Sequence, residues 1–455
     1  MLIVPTPLGE VSGIEIEGCH RFAGIRYAKP PVGERRFRSP EPVEPWEGVY
    51  DGSEFGPTAP QPPAGPAPWN PGGGPEASDE DCLFLNVYTP ALDGTLRPVM
   101  VWIHGGGYHA GAASHYDVAA LARNADVVVV TINYRLGVFG WVSLDHLDPA
   151  LAGSGNNGVR DQIEAMRWTQ RTIAAFGGDP DRVTIFGESA GGGSVAAIIS
   201  APEADGLYHR AMILSGAPLA FEPPSSGHEY VSGILEALGS PDGGIAALRA
   251  ASTDKLVAAH VKATGGSNMG GRPVLDDVVI TRSFPDALRE KAERNVPLVI
   301  GTNKNEGGFA LIAADDDATR RQVAEQTETF FRIPALRAAD SQTATAAPVW
   351  VYFFTWPSPA FGGRLGAVHS LELPFLFAVG DRLPWSFFVG DNPPKHLTIA
   401  LQSAWGAFAR TGDPNGADLP VWPRYDAARP TLELGDEVRV VLDPESESRE
   451  RWMRA

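Results

Sequence analysis

The chain has 455 residues, enough for one large catalytic domain with insertions or for two or three smaller domains. Apolar residues make up 43% of it and charged residues 20%, values typical of a globular protein with a sizeable core. The formal net charge of −18 argues against nucleic acid and anionic membrane surfaces as partners, because both repel an acidic protein.

The sequence shows no pattern of a targeting or membrane-spanning segment. Its start, MLIVPTPLGEV, lacks the basic residues and the apolar run of a signal peptide. No window reaches the roughly 18 uninterrupted apolar residues of a membrane span. The two cysteines, Cys19 and Cys82, allow at most one disulfide. These features predict a cytoplasmic protein that does not bind membranes.

Short, continuous apolar runs alternate with helical patterns along the chain. The runs are rich in β-branched and aromatic residues, as expected of strands covered on both faces of a mostly parallel sheet. Helical patterns cover Val159–Ala175 and Ala190–Ile199. The alternation predicts one α/β domain over residues 1–455. The predicted strands are Val99–His104, Val127–Ile132, Val183–Phe186, Ala211–Leu214, Val296–Ile300 and Val349–Phe354.

Two segments interrupt this alternation. Pro60–Gly74 (PQPPAGPAPWNPGGG) is too rich in proline and glycine for a helix or a central strand, so it is predicted to be an irregular surface loop. Residues 223–288 mix a helical pattern with turns and are predicted to be an insertion between strands.

The most informative motif follows the third predicted strand. Gly187–Gly191 (GESAG) ends that strand, and a helix of small residues begins at once. The spacing matches a nucleophile elbow, in which a strained turn exposes a serine and only glycine fits where strand and helix cross closely. Ser189 is therefore the candidate nucleophile, above a helix N-terminus that favours negative charge. The alternative is a glycine-rich turn with an N-capping serine.

A second motif supports the first. Val101–Tyr108 (VWIHGGGY) places three glycines directly after a predicted strand. Acyl transfer creates an oxyanion, which preorganised backbone amides stabilise, and glycines let such amides face the reacting group. The alternative is a flexible turn, but an elbow in the same chain favours the oxyanion motif.

Further motifs extend over nearly the whole chain. They are Phe22–Gly33 (FAGIRYAKPPVG), Glu80–Val87 (EDCLFLNV), Asn133–Arg135 (NYR) and Phe176–Pro180 (FGGDP). With the elbow and the glycines, they resemble the type-B carboxylesterase family, which includes bacterial para-nitrobenzyl esterases, mammalian carboxylesterases and the cholinesterases. The resemblance implies an α/β-hydrolase fold with insertions over the active site. It also implies an oxyanion hole formed by Gly106, Gly107 and Ala190.

The nucleophile needs a base, and the base needs an orienting carboxylate. In α/β-hydrolases the chain order is serine, acid, histidine. The segment TNKNEGG follows the predicted strand Val296–Ile300 and resembles the family's acidic-glycine motif, so Glu306 is the predicted acid. Asp315–Asp317 is a rival, although acidic runs are usually solvated loops.

Two of the ten histidines, His369 and His396, follow the predicted acid. His369 lies after the last predicted strand, in a segment that resembles the family's catalytic-histidine segment and includes Glu372. His396 opens the helical pattern Leu397–Ala409, where a histidine is usually structural. His369 is therefore the predicted base.

The resemblance also implies a buried polar network around the histidine. It places Glu188, inside the elbow, and Ser215, at the end of a strand, in this network. The alternatives are an exposed turn carboxylate for Glu188 and a strand-end turn serine for Ser215.

The chain departs from the family pattern in three ways. Relatives commonly have a cysteine near Ala59 that pairs with the counterpart of Cys82. Here Cys82 is predicted to be a free buried thiol unless Cys19 replaces the partner, which needs Cα atoms within about 7 Å. The segment 310–349 is a shortened insertion, so relatives' substrate preferences do not transfer. No counterpart of an aromatic choline site is found, which disfavours a cholinesterase.

Two other patterns suggest cofactors. Gly153–Gly158 (GSGNNG) has the glycine spacing of a dinucleotide fingerprint, but a polar turn region precedes it instead of a strand. His104, His109 and His115 have no acidic or thiolate partners at ligand spacing, which favours a loop over a metal site. No cofactor and no metal are predicted.

Together the motifs predict a serine hydrolase of small to medium uncharged carboxylic esters, acting through an acyl-enzyme intermediate. An acyltransferase, or a hydrolase of lactones or amides, would use the same triad. A non-enzymatic binding homologue is disfavoured because all three triad residues are present.

Overall fold

The computed structural model describes residues 2–64, 67, 77–266, 270–290 and 296–453. These residues form a 13-stranded sheet with helices packed on both faces. The strands are β1 (Leu2–Thr6), β2 (Gly9–Ile16), β3 (Cys19–Arg26), β4 (Val49–Asp51), β5 (Phe84–Thr89), β6 (Arg97–Ile103), β7 (Val128–Ile132), β8 (Gly178–Glu188), β9 (Arg210–Leu214), β10 (Leu298–Asn303), β11 (Val349–Phe354), β12 (Pro430–Leu434) and β13 (Val438–Leu442).

The strand order is β1-β2-β3-β5-β7-β6-β8-β9-β10-β11-β12-β13, with β4 paired to β2. The strands from β7 to β12 in this order run parallel, and antiparallel strands extend the sheet at both ends. Every residue of β6, β7, β10 and β11 is buried, as expected of strands covered on both faces. The predicted mostly parallel sheet is therefore confirmed.

Several predicted boundaries shift. The prediction Val349–Phe354 matches β11, whereas Val183–Phe186 is only the central part of the longer β8. The run Val296–Ile300 is displaced toward the C-terminus, because β10 begins after Pro297, which has no N–H to donate to a neighbouring strand.

The helices are α1 (Ala119–Ala125), α2 (Gly137–Gly140), α3 (Asn157–Thr172), α4 (Ala190–Ile199), α5 (Pro224–Ala237), α6 (Gly244–Ala250), α7 (Thr253–Ala263), α8 (Phe284–Glu290), α9 (Asp317–Gln326), α10 (Ile333–Thr343), α11 (Leu373–Leu376), α12 (Trp385–Val389), α13 (Lys395–Thr411) and α14 (Ser446–Met453). Apolar side chains of α3, α4, α8 and α10 cover one face of the sheet, and those of α1, α11, α12 and α13 cover the other. No helix in the described ranges is both long and apolar enough to cross a bilayer.

Both predicted insertions contain helices. The first carries α5 to α8 between β9 and β10, and the second carries α9, a π-helical segment (Thr327–Arg332) and α10 between β10 and β11. A third apolar cluster joins α5 and α7 to the segment after β7, where Phe139 and Leu144 pack near Val231 and Ile234. The first insertion is therefore attached to the body of the protein by its own small core.

The predicted loop Pro60–Gly74 falls mostly outside the described residues, since 65–66 and 68–74 are not among them. The two cysteines are free and buried, with Cys19 in the apolar cluster on one face of the sheet and Cys82 in the cluster on the other. A disulfide between them is therefore excluded in this fold. Burial raises the pKa of the Cys19 thiol to about 12.

The glycine fingerprint Gly153–Gly158 has a structural role. A short 3-10 turn (Pro149–Leu151) lies directly before it. Among the described residues, no strand leads directly into it. Within it, the Asn156 side chain donates to the Val274 carbonyl at 2.7 Å and accepts from the Val274 amide at 2.9 Å. The segment thus anchors the first insertion to the start of α3.

Arg135, in the NYR motif after β7, makes an ion pair that is almost fully buried. Its Nε and Nη2 each lie 2.7 Å from the carboxylate of Asp161 on α3, and the two side chains are 2% and 0% exposed. Nη1 donates to the carbonyl of Arg38 at 2.7 Å. This bidentate geometry satisfies charges that would otherwise be costly to bury.

We therefore expect Asp161→Ala to destabilise the protein strongly, because it leaves the Arg135 guanidinium buried without its counter-ion. The expected loss in free energy of unfolding is about 3–5 kcal/mol. Urea denaturation followed by circular dichroism measures it. Asp315→Ala, which breaks the exposed pair with Arg320, is the control, with an expected loss of about 0–1 kcal/mol. Equal losses in both variants would contradict the prediction.

Candidate active site

The elbow is built as its glycines predict. Ser189 lies between β8 and α4 with φ 57° and ψ −124°, a conformation that is strained for a residue with a side chain. A Cβ on Gly187 would lie 2.5 Å from the Gly191 carbonyl carbon, and one on Gly191 would lie 2.0 Å from the Ile103 carbonyl oxygen. Only glycine fits at these two positions, and Ser189 between them is partly exposed.

The triple glycine lies against the serine. It follows β6, which is the neighbour of β8 in the sheet, and a Cβ on Gly105 would lie 3.1 Å from the Ser189 Cβ. Gly106 and Gly107 have φ values of 103° and 63°, which glycine adopts without strain. Ala190 begins α4, where the first backbone amides have no partner within the helix. The predicted oxyanion-hole residues thus meet the serine at one end of the sheet.

His369 and Glu306 form a close pair. Glu306 follows β10 in a 3-10 helix, and His369 Nδ1 lies 2.6 Å from its Oε2. The other oxygen, Oε1, accepts the Asn303 amide at 2.7 Å. The two loops are also joined by their backbones, since the Asn305 amide donates to the Ala367 carbonyl at 2.9 Å. The carboxylate is therefore fixed in place and sets the orientation of the imidazole.

Glu188 occupies the other side of the imidazole. Its Oε1 lies 3.1 Å from His369 Nε2 and accepts a hydrogen bond of 2.6 Å from the Ser370 hydroxyl. The side chain is only 3% exposed, so the alternative of an exposed turn carboxylate is wrong. Ser189 has no hydrogen bond to His369 among the described residues. Catalytic hydrogen bonds are often long or misaligned before substrate binds.

A third carboxyl group, that of Glu372, lies behind the pair. Its Oε2 accepts from the Asn303 side-chain amide at 2.6 Å, so Asn303 contacts both Glu306 and Glu372. Ser215 is fully buried, with φ 49°, and its hydroxyl faces that of Tyr352 on β11. Glu188 and Ser215 are therefore both buried, and Glu188 is the one of the two that the structure places against His369.

Burial opposes a charge on His369, but the carboxylates of Glu188, Glu306 and Glu372 outweigh it and raise the pKa of the imidazole to about 10. Burial raises the pKa of the Glu188 carboxyl. Burial, together with the nearby charges of Glu188 and Glu306, raises the pKa of Glu372 to about 8. The three carboxylates thus favour the protonated form of the imidazole, and burial favours the protonated form of the carboxyl groups.

A pH-dependent activity follows from this arrangement. A general base must be neutral, so we expect kcat/KM to rise with pH and its acidic limb to lie above the ordinary histidine pKa of 6.5. Glu188→Gln removes a charge that raises the pKa of His369, and should move the limb to lower pH. Profiles of kcat/KM against pH for both proteins test this. Glu203→Gln, on the surface, is the control, and an unmoved limb in Glu188→Gln would contradict the prediction.

The rival residues lie elsewhere. Asp315 pairs with Arg320, and Asp316 caps α9 by accepting the Thr319 amide at 2.8 Å. His396 is exposed at the start of α13, with Nε2 3.0 Å from the Gly435 carbonyl oxygen.

The three histidines near the triple glycine also have structural surroundings. His104 stacks on Tyr134 at 4.4 Å between ring centroids, and burial lowers its pKa to about 3. His109 Nδ1 lies 3.1 Å from the Gly107 carbonyl oxygen. Within the described ranges, His104, His109 and His115 do not form a group of metal-ligating atoms.

Sequence reasoning missed three residues of the site: Asn303, Ser370 and Phe331. Asn303 and Ser370 adjoin predicted residues, so their neighbourhood was a usable signal. The ring of Phe331 lies 4.9 Å from that of His369, centroid to centroid. It is placed there by the π-helical segment between α9 and α10, for which the sequence offers no signal.

Comparisons with known proteins identify the family to which the chain belongs. The model of the carboxylesterase family matches residues 1–329 and 313–452. The para-nitrobenzyl esterase of Bacillus subtilis (strain 168) is 36% identical, over 99% of this chain and 98% of its own length. The phenmedipham hydrolase of Pseudarthrobacter oxydans is also 36% identical, over 96% and 95%.

Solved structures of esterases have the same fold as this chain. The chain superposes on a PNB esterase with a TM-score of 0.90, 35% identity and 99% of each chain covered. It superposes on a Geobacillus stearothermophilus carboxylesterase with a TM-score of 0.88, 37% identity and coverage of 99% and 100%. The chain therefore belongs to the type-B carboxylesterase family and is a carboxylic ester hydrolase of the α/β-hydrolase fold.

Proposed function

We propose that Ser189, His369 and Glu306 are the catalytic triad of this esterase, with Gly106, Gly107 and Ala190 as its oxyanion hole. The observation that carries the proposal is the His369–Glu306 pair, 2.6 Å apart, at the same end of the sheet as a serine held at φ 57°. Acyl transfer requires a serine hydroxyl and a base that is oriented by a carboxylate, and these are the groups found at this end of the sheet.

The reaction has two halves. His369 takes the proton of Ser189 as the hydroxyl oxygen attacks the ester carbonyl, and the three backbone amides stabilise the oxyanion. The histidine returns the proton to the leaving alcohol, which leaves an acyl-enzyme. Water then attacks the acyl-enzyme and gives its proton to His369, and collapse of the second intermediate releases the acid and restores the serine hydroxyl. Glu306 holds the imidazole in the required tautomer throughout.

Glu188 and Ser370 act through the histidine. In the free site the Nε2 side of His369 is paired with Glu188, which stabilises the imidazolium form by its charge. The Ser370 hydroxyl in turn fixes the Glu188 carboxylate. We assign both as positioning residues, because neither contacts the Ser189 hydroxyl among the described residues.

The substrates we propose are small to medium uncharged carboxylic esters. Three buried carboxyl groups surround the base, and the negative charge that they carry disfavours an anionic acyl group. The ring of Phe331 beside His369 provides an apolar contact.

Ester hydrolysis is tested with para-nitrophenyl acetate, butyrate and octanoate, together with a fluorophosphonate probe and peptide mass spectrometry. We expect turnover of the shorter esters and a probe adduct on Ser189. The chain-length profile then measures the length of acyl group that the site accepts. A folded protein that hydrolyses none of the three esters and takes up no probe would overturn the proposal.

We also propose that the protein works in the reducing cytoplasm. The free, buried thiols of Cys19 and Cys82 support this compartment, since extracellular proteins more commonly form disulfides. Immunoblots of fractionated cells test the proposal, and recovery in an extracellular or periplasmic fraction would refute it.

A further inference from the structure

Three side chains with metal-ligating atoms meet where α5 packs on the body of the protein. Asp145 and His146 lie in the segment between α2 and α3, and His228 lies near the start of α5. One ligand atom of each lies within 4.8 Å of the others. Nε2 of His228 is 3.2 Å from Asp145 Oδ1, and the rings of the two histidines are 4.2 Å apart between centroids. None of the three belongs to the esterase site.

The backbone brings these residues together. A Cβ on Gly227 would lie 2.2 Å from the Ser143 hydroxyl oxygen, so glycine permits an approach of α5 that a side chain would prevent. His228 follows that glycine, and Asp145 lies two residues after Ser143. The cluster therefore forms at a point of close backbone contact between two elements.

The turn that carries Asp145 and His146 is well anchored. Leu144 is fully buried, and its amide donates to the Ser154 hydroxyl at 2.9 Å. Its carbonyl accepts from the amides of Leu147 and Asp148, each at 2.9 Å. On the other side, Val231 of α5 is fully buried in the same apolar cluster as Leu144. Fixed backbones on both sides lower the entropy cost of ordering the three side chains around a ligand.

We propose that Asp145, His146 and His228 bind one Zn²⁺ ion, with water completing its coordination. Two imidazoles and a carboxylate are ligands that Zn²⁺ commonly takes, with bonds of about 2.0–2.2 Å. Tetrahedral geometry then places ligand atoms about 3.3 Å apart. The 3.2 Å between His228 Nε2 and Asp145 Oδ1 already matches such an edge. A surface ion pair, the alternative interpretation, uses only Asp145 and His228.

The bound ion joins the first insertion to the segment that leads into α3. Zn²⁺ that binds the folded chain and not the unfolded one stabilises the fold by mass action. The proposed effect is therefore on stability, and catalysis does not require the metal.

The test uses the full chain after dialysis against a chelator. Isothermal titration calorimetry with ZnCl₂ and thermal unfolding with and without Zn²⁺ are measured for wild type, Asp145→Asn, His146→Ala and His228→Ala. His396→Ala, which removes another exposed histidine, is the control. The thermal unfolding midpoints in zinc-free buffer show whether each variant folds. If a histidine variant does not fold, the comparison rests on Asp145→Asn, which keeps the size and shape of the side chain.

We expect wild type and His396→Ala to bind one Zn²⁺ per chain and to unfold at a higher temperature in its presence. Each cluster variant should bind at least tenfold more weakly and lose the thermal shift. Because Glu188, Glu306 and His369 also offer ligand atoms, binding that all variants retain would place the ion elsewhere and overturn the proposal. If the wild type shows no saturable binding of Zn²⁺, the proposal is wrong and Asp145 and His228 form an ion pair only.

Discussion

Ser189→Ala is expected to lower kcat for para-nitrophenyl butyrate by about 10⁵- to 10⁶-fold. The alanine has no oxygen to attack the ester, so the acyl-enzyme cannot form at this position. The oxyanion amides of Gly106, Gly107 and Ala190 remain, so a small residual rate over uncatalysed hydrolysis is expected. Stopped assays at high enzyme concentration measure that residual rate, and an inhibitor-treated wild type sets the background.

Ser194→Ala is a matched control for this loss. Ser194 lies on α4 near Ser189, is buried, and its hydroxyl accepts from the Gln162 side chain at 2.9 Å. Its removal deletes a hydroxyl from the same helix without deleting the proposed nucleophile, so kcat should change by less than about tenfold. A Ser189→Ala enzyme that kept more than a hundredth of wild-type kcat would show that another group attacks the ester.

Glu306→Gln is expected to reduce kcat/KM by about 10⁴-fold with little effect on folding. The amide fills the same space and still offers an oxygen to the Asn303 amide. It cannot carry the negative charge that stabilises the imidazolium, and an NH₂ group facing His369 Nδ1 favours the wrong tautomer. The measurement is kcat/KM over pH, because loss of this charge also lowers the pKa of His369.

Glu325→Gln, on the exposed face of α9, is the control for this substitution. It should leave kcat/KM within about twofold of the wild type, as expected of a surface change away from the site. The informative contrary result is a Glu306→Gln enzyme within tenfold of wild type. That result would show that His369 is oriented by Glu188, on the other side of the imidazole, or by Glu372.

The parts of the site that the sequence predicts are those set by local geometry. A Cβ would lie 2.0 Å from a carbonyl oxygen at Gly191 and 2.5 Å from a carbonyl carbon at Gly187. Neither glycine can therefore be replaced, and the two mark the elbow in any chain that uses it. The parallel strands are predictable for a similar reason, since burial on both faces requires continuous apolar runs. Glu306 and His369 follow from chain order once the elbow is identified.

The features that sequence reasoning missed or left open depend on contacts between distant segments. Glu188 could have pointed to solvent from its turn, and its burial is decided by the loop that carries Ser370, 182 residues later. Phe331 reaches His369 through an irregular helical segment. The antiparallel strands at the two ends of the sheet, such as β1 and β13, are short and only partly buried, so they lack the apolar continuity that identifies central strands.

The two insertions leave the sheet at β9, β10 and β11, and the first has an apolar core of its own. Ser189 and Glu306, the proposed nucleophile and orienting acid, directly follow or lie close after β8 and β10, outside the first insertion. Because that core packs the first insertion by itself, changes within α5 to α7 are expected to leave the strand ends that carry Ser189 and Glu306 in place. In evolutionary terms, the first insertion and the proposed nucleophile are inherited on separate parts of this chain.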